Sequence, residues 1–477
     1  MNTAQKVAKN TGVIFAGQLI NMALNLIAMI WLARYLGEVK FGMFSFVIVF
    51  INFFAIAANF GMKPIIVREI SRDIARARRI LGTTIIIKFL LSIVSILLAY
   101  IVANLLGYSQ ELIILIVILA FNIFTSAKLQ TFRVVFESIF EANLSMEYPI
   151  LLRMIDAVFL VGLIVLLTHF NCSLRTIALF YVLSTIPGFF LTISLSINYF
   201  KPHFRFDFQL AKWLLFESLP LALYVGLSRL YTSADVFILK MLKDDAAVGY
   251  YSAAFRLIYP LNFISAAIVM SLFPLMSKYY QDSKEKLIKS FNFGIKILVL
   301  IGLALCLGAT FLHERLVIFL YTDKYLSSSL SLMILMWAQL FAFLNFFLVD
   351  FNTSVNQQKH NTYVAVFMFL ANVGLNLLLV PIWGVNGASF AKLITVALGF
   401  SILYFYAFQK IGVSLLPIMK KTVPIAVCFS IWLYLVRDLN LIFIFMLSPI
   451  SFAFLVLFFR FFSESESKVL KELFIKI

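Results

Sequence analysis

The chain has 477 residues, 63% hydrophobic and 13% charged, with a mean hydropathy of +1.00. A water-soluble domain is about 45–50% apolar and about 25% charged, and a disordered chain combines low hydrophobicity with high charge. Both classes are excluded, and the chain belongs in a bilayer. The net charge of +17, from 39 Lys and Arg against 22 Asp and Glu, is expected from basic residues gathered beside spans on the cytoplasmic side, not from a nucleic-acid partner. Cys172, Cys306 and Cys428 have no metal or redox spacing, so no disulfide framework is expected. The opening MNTAQKVAKN runs into a hydrophobic stretch too long for a signal-peptide core.

A helix needs about 20 apolar residues to cross the hydrocarbon core. Fourteen stretches qualify, near residues 12–34, 41–61, 83–106, 111–132, 149–168, 176–199, 213–239, 249–274, 288–310, 330–350, 362–381, 385–407, 416–436 and 440–460. The fold class expected is an all-α integral membrane protein with fourteen transmembrane helices. With the N-terminus cytoplasmic, 25 Lys and Arg fall in loops on that side and eight on the other. That asymmetry places both termini in the cytoplasm of a multi-pass cell-membrane protein.

In the first span Gln18, Asn21 and Asn25 share a helix face; in the second, Ser45, Asn52 and Asn59 recur every seven residues. The cytoplasmic connection after it is basic, and its run SRDIARARR at 71–79 reads as a solvated or interfacial amphipathic segment attracted to anionic lipid. Glu137, Glu141 and Glu147 fall in the next cytoplasmic connection and are expected on a solvated face. The seventh span carries a stripe of Tyr224, Ser228, Thr232 and Asp235.

Six cations lie inside spans: Lys88, Arg153, Arg229, Arg256, Lys296 and Lys392. Each costs about 2.5–3.5 kcal/mol at a helix centre, so a cation kept there faces protein or a water-filled cavity. Lys88 and Lys296 lie within reach of cytoplasmic ends and are expected to snorkel. Arg153 has Asp156 three residues on, the spacing of a helix-face ion pair. Arg229, Arg256 and Lys392 lie deeper, and a cavity role is expected for them.

The chain repeats at an offset near 207. FGMFS at 41–45 aligns with VGYYS at 248–252, pairing Gly42 with Gly249 and Ser45 with Ser252; Asn21 and Asn25 align with Ser228 and Thr232, and Lys88 with Lys296 within one residue. The repeat divides the chain into two pseudo-symmetric six-helix lobes, 1–200 and 201–410, followed by an extra transmembrane pair and cytoplasmic tail at 411–477. Internal duplication is the usual construction of secondary transporters, which bind substrate at the repeat interface.

Three stretches carry a family resemblance: ANFGMKPIIVREIS at 58–71, VGYYSAAFRL at 248–257 with Phe273, Pro274 and Ser277 beyond it, and NVGLNLLLVPIWGVNGASFA at 372–391 with Asn376, Pro381, Gly384, Gly387 and Ala388 in order. They resemble the second-span exit, the eighth span and the eleventh-to-twelfth turn of polysaccharide and oligosaccharide flippases of the multidrug/oligosaccharidyl-lipid/polysaccharide exporter superfamily. The resemblance implies a V-shaped pair of lobes around a central cavity, lined largely by spans one, two, seven and eight, that alternates between the two sides of the membrane. It implies transport of a polyprenyl-diphosphate-linked oligosaccharide with its headgroup in the cavity, and as partners membrane lipid, a polysaccharide polymerase and glycosyltransferases. Arg229, Arg256 and Lys392 are then candidates for headgroup or phosphate contact, with Arg153 and Lys296 nearer the cytoplasmic entrance and Asn21, Asn25, Asn52, Ser228 and Thr232 lining the path. The family motif itself reaches only Arg256; the other cations rest on depth and charge. Asp235 is a coupling site for H+ or Na+, or a counter-ion. No cofactor is expected.

Alternatives remain. A lipid II flippase for peptidoglycan shares the span count and a cationic cavity. A multidrug or cation antiporter would want acidic groups, and the first span, Thr11 to Ala33, has none. A major facilitator would have twelve spans and a differently spaced basic motif. A membrane glycosyltransferase or polymerase would generally need acids or a metal site, whereas His169, His203, His313 and His360 are scattered and no carboxylate pair has ligand spacing.

Overall fold

The computed structural model describes residues 3–199, 206–463 and 466, with side chains described from residue 12 onward except at 13 and 74–76. His203 and most of the expected cytoplasmic tail lie outside the described residues. All regular structure among the described residues is helical, as it must be for an unclosed chain whose backbone groups find no water in the hydrocarbon core. The chain divides into two compact units, Met1–Ser252 and Ala253–Ile477.

The first unit comprises α1 (Thr3–Asn59), α2 (Lys63–Arg72), α3 (Ile74–Leu105), α4 (Gln110–Ala120), α5 (Asn122–Thr125), α6 (Val134–Ala142), α7 (Glu147–His169), α8 (Leu174–Leu183), α9 (Ile186–Ile197), α10 (Phe208–Leu242) and most of α11 (Asp245–Ile258). α1 contains two arms that meet at Gly37, whose φ of 71° is outside the helical region. A helix over 50 residues long would exceed one bilayer crossing more than twofold, and the glycine lets the chain turn back where a side chain would resist a positive φ.

The second arm of α1 ends against Lys88. This side chain is fully buried and donates to the carbonyls of Ala58, at 2.9 Å, and Asn59. The expected snorkelling is therefore corrected: the ammonium satisfies carbonyls that a helix C-terminus leaves unpaired. Asn59 completes the turn by accepting from the Gly61 N–H at 3.2 Å. In α2, Ile65, Ile66 and Ile70 are buried while Arg72 is exposed, as are Arg78 and Arg79 at the start of α3, the distribution expected of an interfacial segment. Arg79 pairs with Asp207, whose carboxylate also accepts from the Leu210 N–H at 3.1 Å and caps α10. That backbone bond first, and Arg79 in addition, hold the Asp207 carboxyl below its ordinary range.

The two motifs aligned in the sequence, 41–45 and 248–252, touch one another. A Cβ on Gly42 would come within 1.7 Å of the Asp245 carbonyl oxygen, and one on Gly249 within 2.0 Å of the Glu38 carbonyl oxygen. Glu38 and Asp245 are themselves one repeat apart, as are Gly42 and Gly249. The contact is thus reciprocal. Lys240 fixes the turn leading into it by an ion pair to Asp245 at 2.6 Å.

The second unit comprises the end of α11 with α12 (Asn262–Asp282), α13 (Lys284–Leu320), α14 (Ser329–Ser354), α15 (Gln358–Ile411), α16 (Leu416–Val436) and α17 (Leu441–Phe458). α15 turns at Gly384, with φ 54° and ψ −125°. Three residues before it stands Pro381, and a Cβ on Gly387 would lie 2.2 Å from the Leu379 carbonyl oxygen. The Pro-Gly-Gly motif is therefore the tight turn expected of it. Buried Asn345 and Asn352, one heptad apart on α14, donate to the carbonyls of Val396 and Leu403, also seven apart, at 2.8 and 3.3 Å. Phe291, Phe343, Phe347 and Phe351 are fully buried in the adjoining core.

Eleven helical stretches among the described residues are long and apolar enough to cross a membrane, against the fourteen expected. The difference has three sources. The expected spans one and two form one stretch, Ile14–Arg72, across the Gly37 turn; spans eleven and twelve form another, Gln358–Ile411, across Gly384; and the fourth is broken, its apolar part reaching only Gln110–Thr125.

Candidate functional site

The polar face expected on the first span exists as a connected set. Asn25 Nδ2 donates to the carbonyl oxygen of Asn21 at 2.7 Å and to its Oδ1 at 2.8 Å. Asn25 Oδ1 in turn accepts from Lys128, a residue the hydropathy pattern assigns to a cytoplasmic loop. Lys128 lies in a single 3-10 turn, Ala127–Leu129, inside the broken fourth span. Of the second-span strip, Ser45 and Asn59 are buried and Asn52 is half-buried.

Behind this break lies a charge network that the sequence reading missed. Arg133 and Glu137 have side chains with no exposed surface. Arg133 Nη1 bonds Asp156 Oδ2 at 2.6 Å, its Nε lies 3.4 Å from Glu137 Oε1, and Glu137 Oε2 accepts from Arg153 at 2.5 Å. Two corrections follow. Glu137 is buried and not on a solvated face, and Arg153 pairs with Glu137 on α6, leaving Asp156 to Arg133. Two cations and two carboxylates balance, which is how charge is kept away from water. The arrangement was hidden because hydropathy treats 133–142 as a polar connection, although that stretch folds as a short helix inside the unit. Glu141 pairs with Lys63 at 2.6 Å with both side chains partly exposed, closer to the surface position expected.

On α10 the stripe is divided. Tyr224, Ser228 and Thr232 are exposed, and Thr232 Oγ1 bonds the carbonyls of Ser228 at 3.1 Å and Arg229 at 3.0 Å. Arg229 is half-buried on the same helix. Asp235 is buried at 1% exposure and accepts from the Tyr251 hydroxyl at 2.7 Å.

In the second unit, Arg256 is half-buried near the end of α11, where the Tyr321 hydroxyl anchors the Ala253 carbonyl at 2.9 Å. Lys392 is buried at 8% exposure on the second arm of α15; Asn372 and Asn376, on the first arm, are fully buried. Lys296 contacts both carboxylate oxygens of Glu466 at 2.8 Å. Burial works against ionisation of Glu466, but the bonds from Lys296 and from Ser463 outweigh it and hold its carboxyl below the ordinary range. The two lysines that the repeat aligns thus do different work: Lys88 caps a helix, and Lys296 holds the segment after α17. Among the described residues no group of three His, Cys, Asp or Glu could hold a metal ion.

Residues 7–280 match the polysaccharide biosynthesis protein family, and residues 220–378 match the MatE family. No curated protein matches. Among solved structures, a lipid II flippase MurJ in an inward closed conformation is similar with a TM-score of 0.76 at 17% identity, over 94% of this chain and 98% of that one. An inward-facing multidrug resistance MATE family transporter gives 0.62 at 18% identity, over 83% and 96%. A MOP superfamily transporter from Pyrococcus furiosus, described as having a binding pocket of reversed polarity, gives 0.56 at 16% identity, over 85% and 97%. These likenesses establish the fold: a multi-pass helical membrane protein built as the MOP superfamily transporters are. The family match spans more than half of the chain, and the chain belongs to the polysaccharide biosynthesis protein family.

Proposed function

We propose that the protein is a flippase that moves a polyprenyl-diphosphate-linked oligosaccharide, the repeat unit of a surface polysaccharide, across the cytoplasmic membrane by alternating access, without chemical change to its cargo. The observation that carries the reading is the retention of cations on apolar helices in a member of this family: Arg229, Arg256 and Lys392 stand where only protein or an aqueous path tolerates charge. A diphosphate linker is the part of such a lipid that needs positive charge; Arg can engage it through two parallel bonds and Lys as a point charge. Arg153 and Lys296 are assigned nearer the cytoplasmic side, where their partners Glu137 and Glu466 would have to yield to the substrate. Asn21, Asn25, Asn52, Ser228 and Thr232 supply neutral hydrogen bonds to sugar or linker.

In this reading the chain is organised as six-helix repeats over 1–200 and 201–410 with an additional pair over 411–477, and both termini are cytoplasmic. Asp235 is the coupling group, binding H+ or Na+ while Tyr251 orients its carboxylate; as a mere counter-ion it would leave gradient dependence unchanged in Asp235→Asn.

The test is sidedness. Purified protein in liposomes carrying a labelled polyprenyl-diphosphate oligosaccharide should make the inner-leaflet fraction accessible from outside with the lipid chemically intact. Covalent extension or cleavage of the glycan would indicate an enzyme instead. A second reading, lipid II transport, is favoured by the fold likeness to the MurJ structure. Growth rescue of cells depleted of their own lipid II flippase would select it; absence of rescue with translocation of a surface-polysaccharide precursor would select the first.

A further inference from the structure

Lys128 does not belong to the set of cations that hydropathy places in the membrane, yet the fold puts it there. Its ammonium rests on Asn25, and twelve residues of helix separate Asn25 from the Gly37 turn that ends the first arm of α1. At 1.5 Å per residue that is about 18 Å inward from the turn, in a hydrocarbon core about 30 Å thick. Lys128 is nonetheless exposed, and an exposed ammonium at that depth is stable only beside water or a polar ligand. Gln18, Asn21 and Asn25 form the neighbouring polar face, so the side it occupies is not one that acyl chains would cover.

The surroundings leave the charge available. Among the described residues no carboxylate lies within ion-pair distance of Lys128: Glu137 is taken by Arg133 and Arg153, and Asp156, near enough to interact with Lys128 electrostatically, is bonded to Arg133. Its hydrogen-bond partner is a neutral amide whose orientation is fixed, because Asn25 Nδ2 is committed to Asn21. One ammonium proton is used and two remain. The backbone around Lys128 is unwound but held, with Arg133 Nη1 bonding the Thr125 carbonyl at 3.3 Å and Thr131 Oγ1 bonding that of Ile123. Non-helical backbone at membrane depth is confined to protein interiors and the walls of aqueous cavities, and discontinuous helices are where transporters build substrate sites.

We propose that Lys128, aimed by Asn25 and carried on the braced break in the fourth span, binds a phosphate oxygen of the substrate's diphosphate linker. The inference rests on the function proposed above and adds to it a contact within the first unit.

The test titrates full-length protein in detergent with a fluorescent polyprenyl diphosphate. Lys128→Gln should weaken binding about tenfold, the worth of one charge-assisted hydrogen bond, and Lys128→Arg should restore most of it. Lys128→Gln and Lys128→Arg should both keep the wild-type melting temperature, because an exposed side chain with a neutral partner adds little to stability, which separates loss of the site from loss of the fold. Wild-type protein that binds the probe and a Lys128→Gln variant that binds it equally would overturn this inference alone. Wild-type protein that binds no polyprenyl diphosphate would overturn the proposed function and this inference with it. Competition by phosphatidylglycerol at equal concentration would reassign Lys128 to bulk phospholipid and also overturn the proposal.

Discussion

At the scale of single residues, the membrane-buried charges separate into those that hold the fold and those that the proposed function assigns to a ligand. Glu137 is shared by two arginines and has no exposed surface. Glu137→Gln should lower stability by about 3 kcal/mol, since it leaves Arg133 and Arg153 with Asp156 as the one carboxylate of the network. Glu141→Gln breaks a partly exposed pair with Lys63 and should cost about 1 kcal/mol or less. Thermal unfolding in detergent measures both, and equal effects would contradict the assigned burial. Asp207 provides a pH test outside the spans. Its carboxyl is depressed, so its tie to Leu210 and Arg79 contributes stability above the ordinary Asp value of about 3.9 and loses it as pH falls through the lowered value. The melting-temperature gap between wild type and Asp207→Asn should therefore be full at neutral pH and close as pH falls below the ordinary Asp range; a gap independent of pH would refute the tie. Lys88 could be recognised in the sequence as an intramembrane cation. Its partners could not, because they are carbonyls of another helix end, and a carbonyl carries no residue-type signal.

At the scale of elements, turns and close crossings were legible wherever glycine marked them. Gly384 and Gly387 beside Pro381 announced a tight turn, and the repeat singled out Gly42 and Gly249 before their contact was known. Gly42→Ala and Gly249→Ala should each reduce folded yield, since a Cβ at either meets backbone within about 2 Å, while Gly162→Ala, where nothing lies within 4 Å, should be neutral. Size-exclusion recovery from detergent would read this, and a harmless Gly42→Ala would deny the crossing. The broken fourth span was not legible. Its apolar residues read as one helix from 111 to 132, but the helix breaks at Phe121 and again at the extended Ser126, before the left-handed Gln130 at φ 56°, a set with no Gly or Pro to signal it. Lys128 and Arg133 were consequently counted as loop cations.

At the scale of the whole molecule, composition and span spacing revealed the fold class, and the family motifs located the parts that shape the scaffold. Substrate preference is less legible, because the few cations proposed to set it act according to their depth and partners. The account stands on the claim that Arg256 and the cations sharing its role select a diphosphate. The most direct measurement compares translocation of a polyprenyl-diphosphate oligosaccharide with that of a neutral lipid-linked analogue, by wild type and Arg256→Ala at equal abundance in liposomes. The account predicts preference for the diphosphate in wild type and a loss of about tenfold for that substrate alone in the variant, the worth of one charge-assisted contact. Equal rates for both lipids, or a variant that moves the diphosphate as fast as wild type, would contradict it.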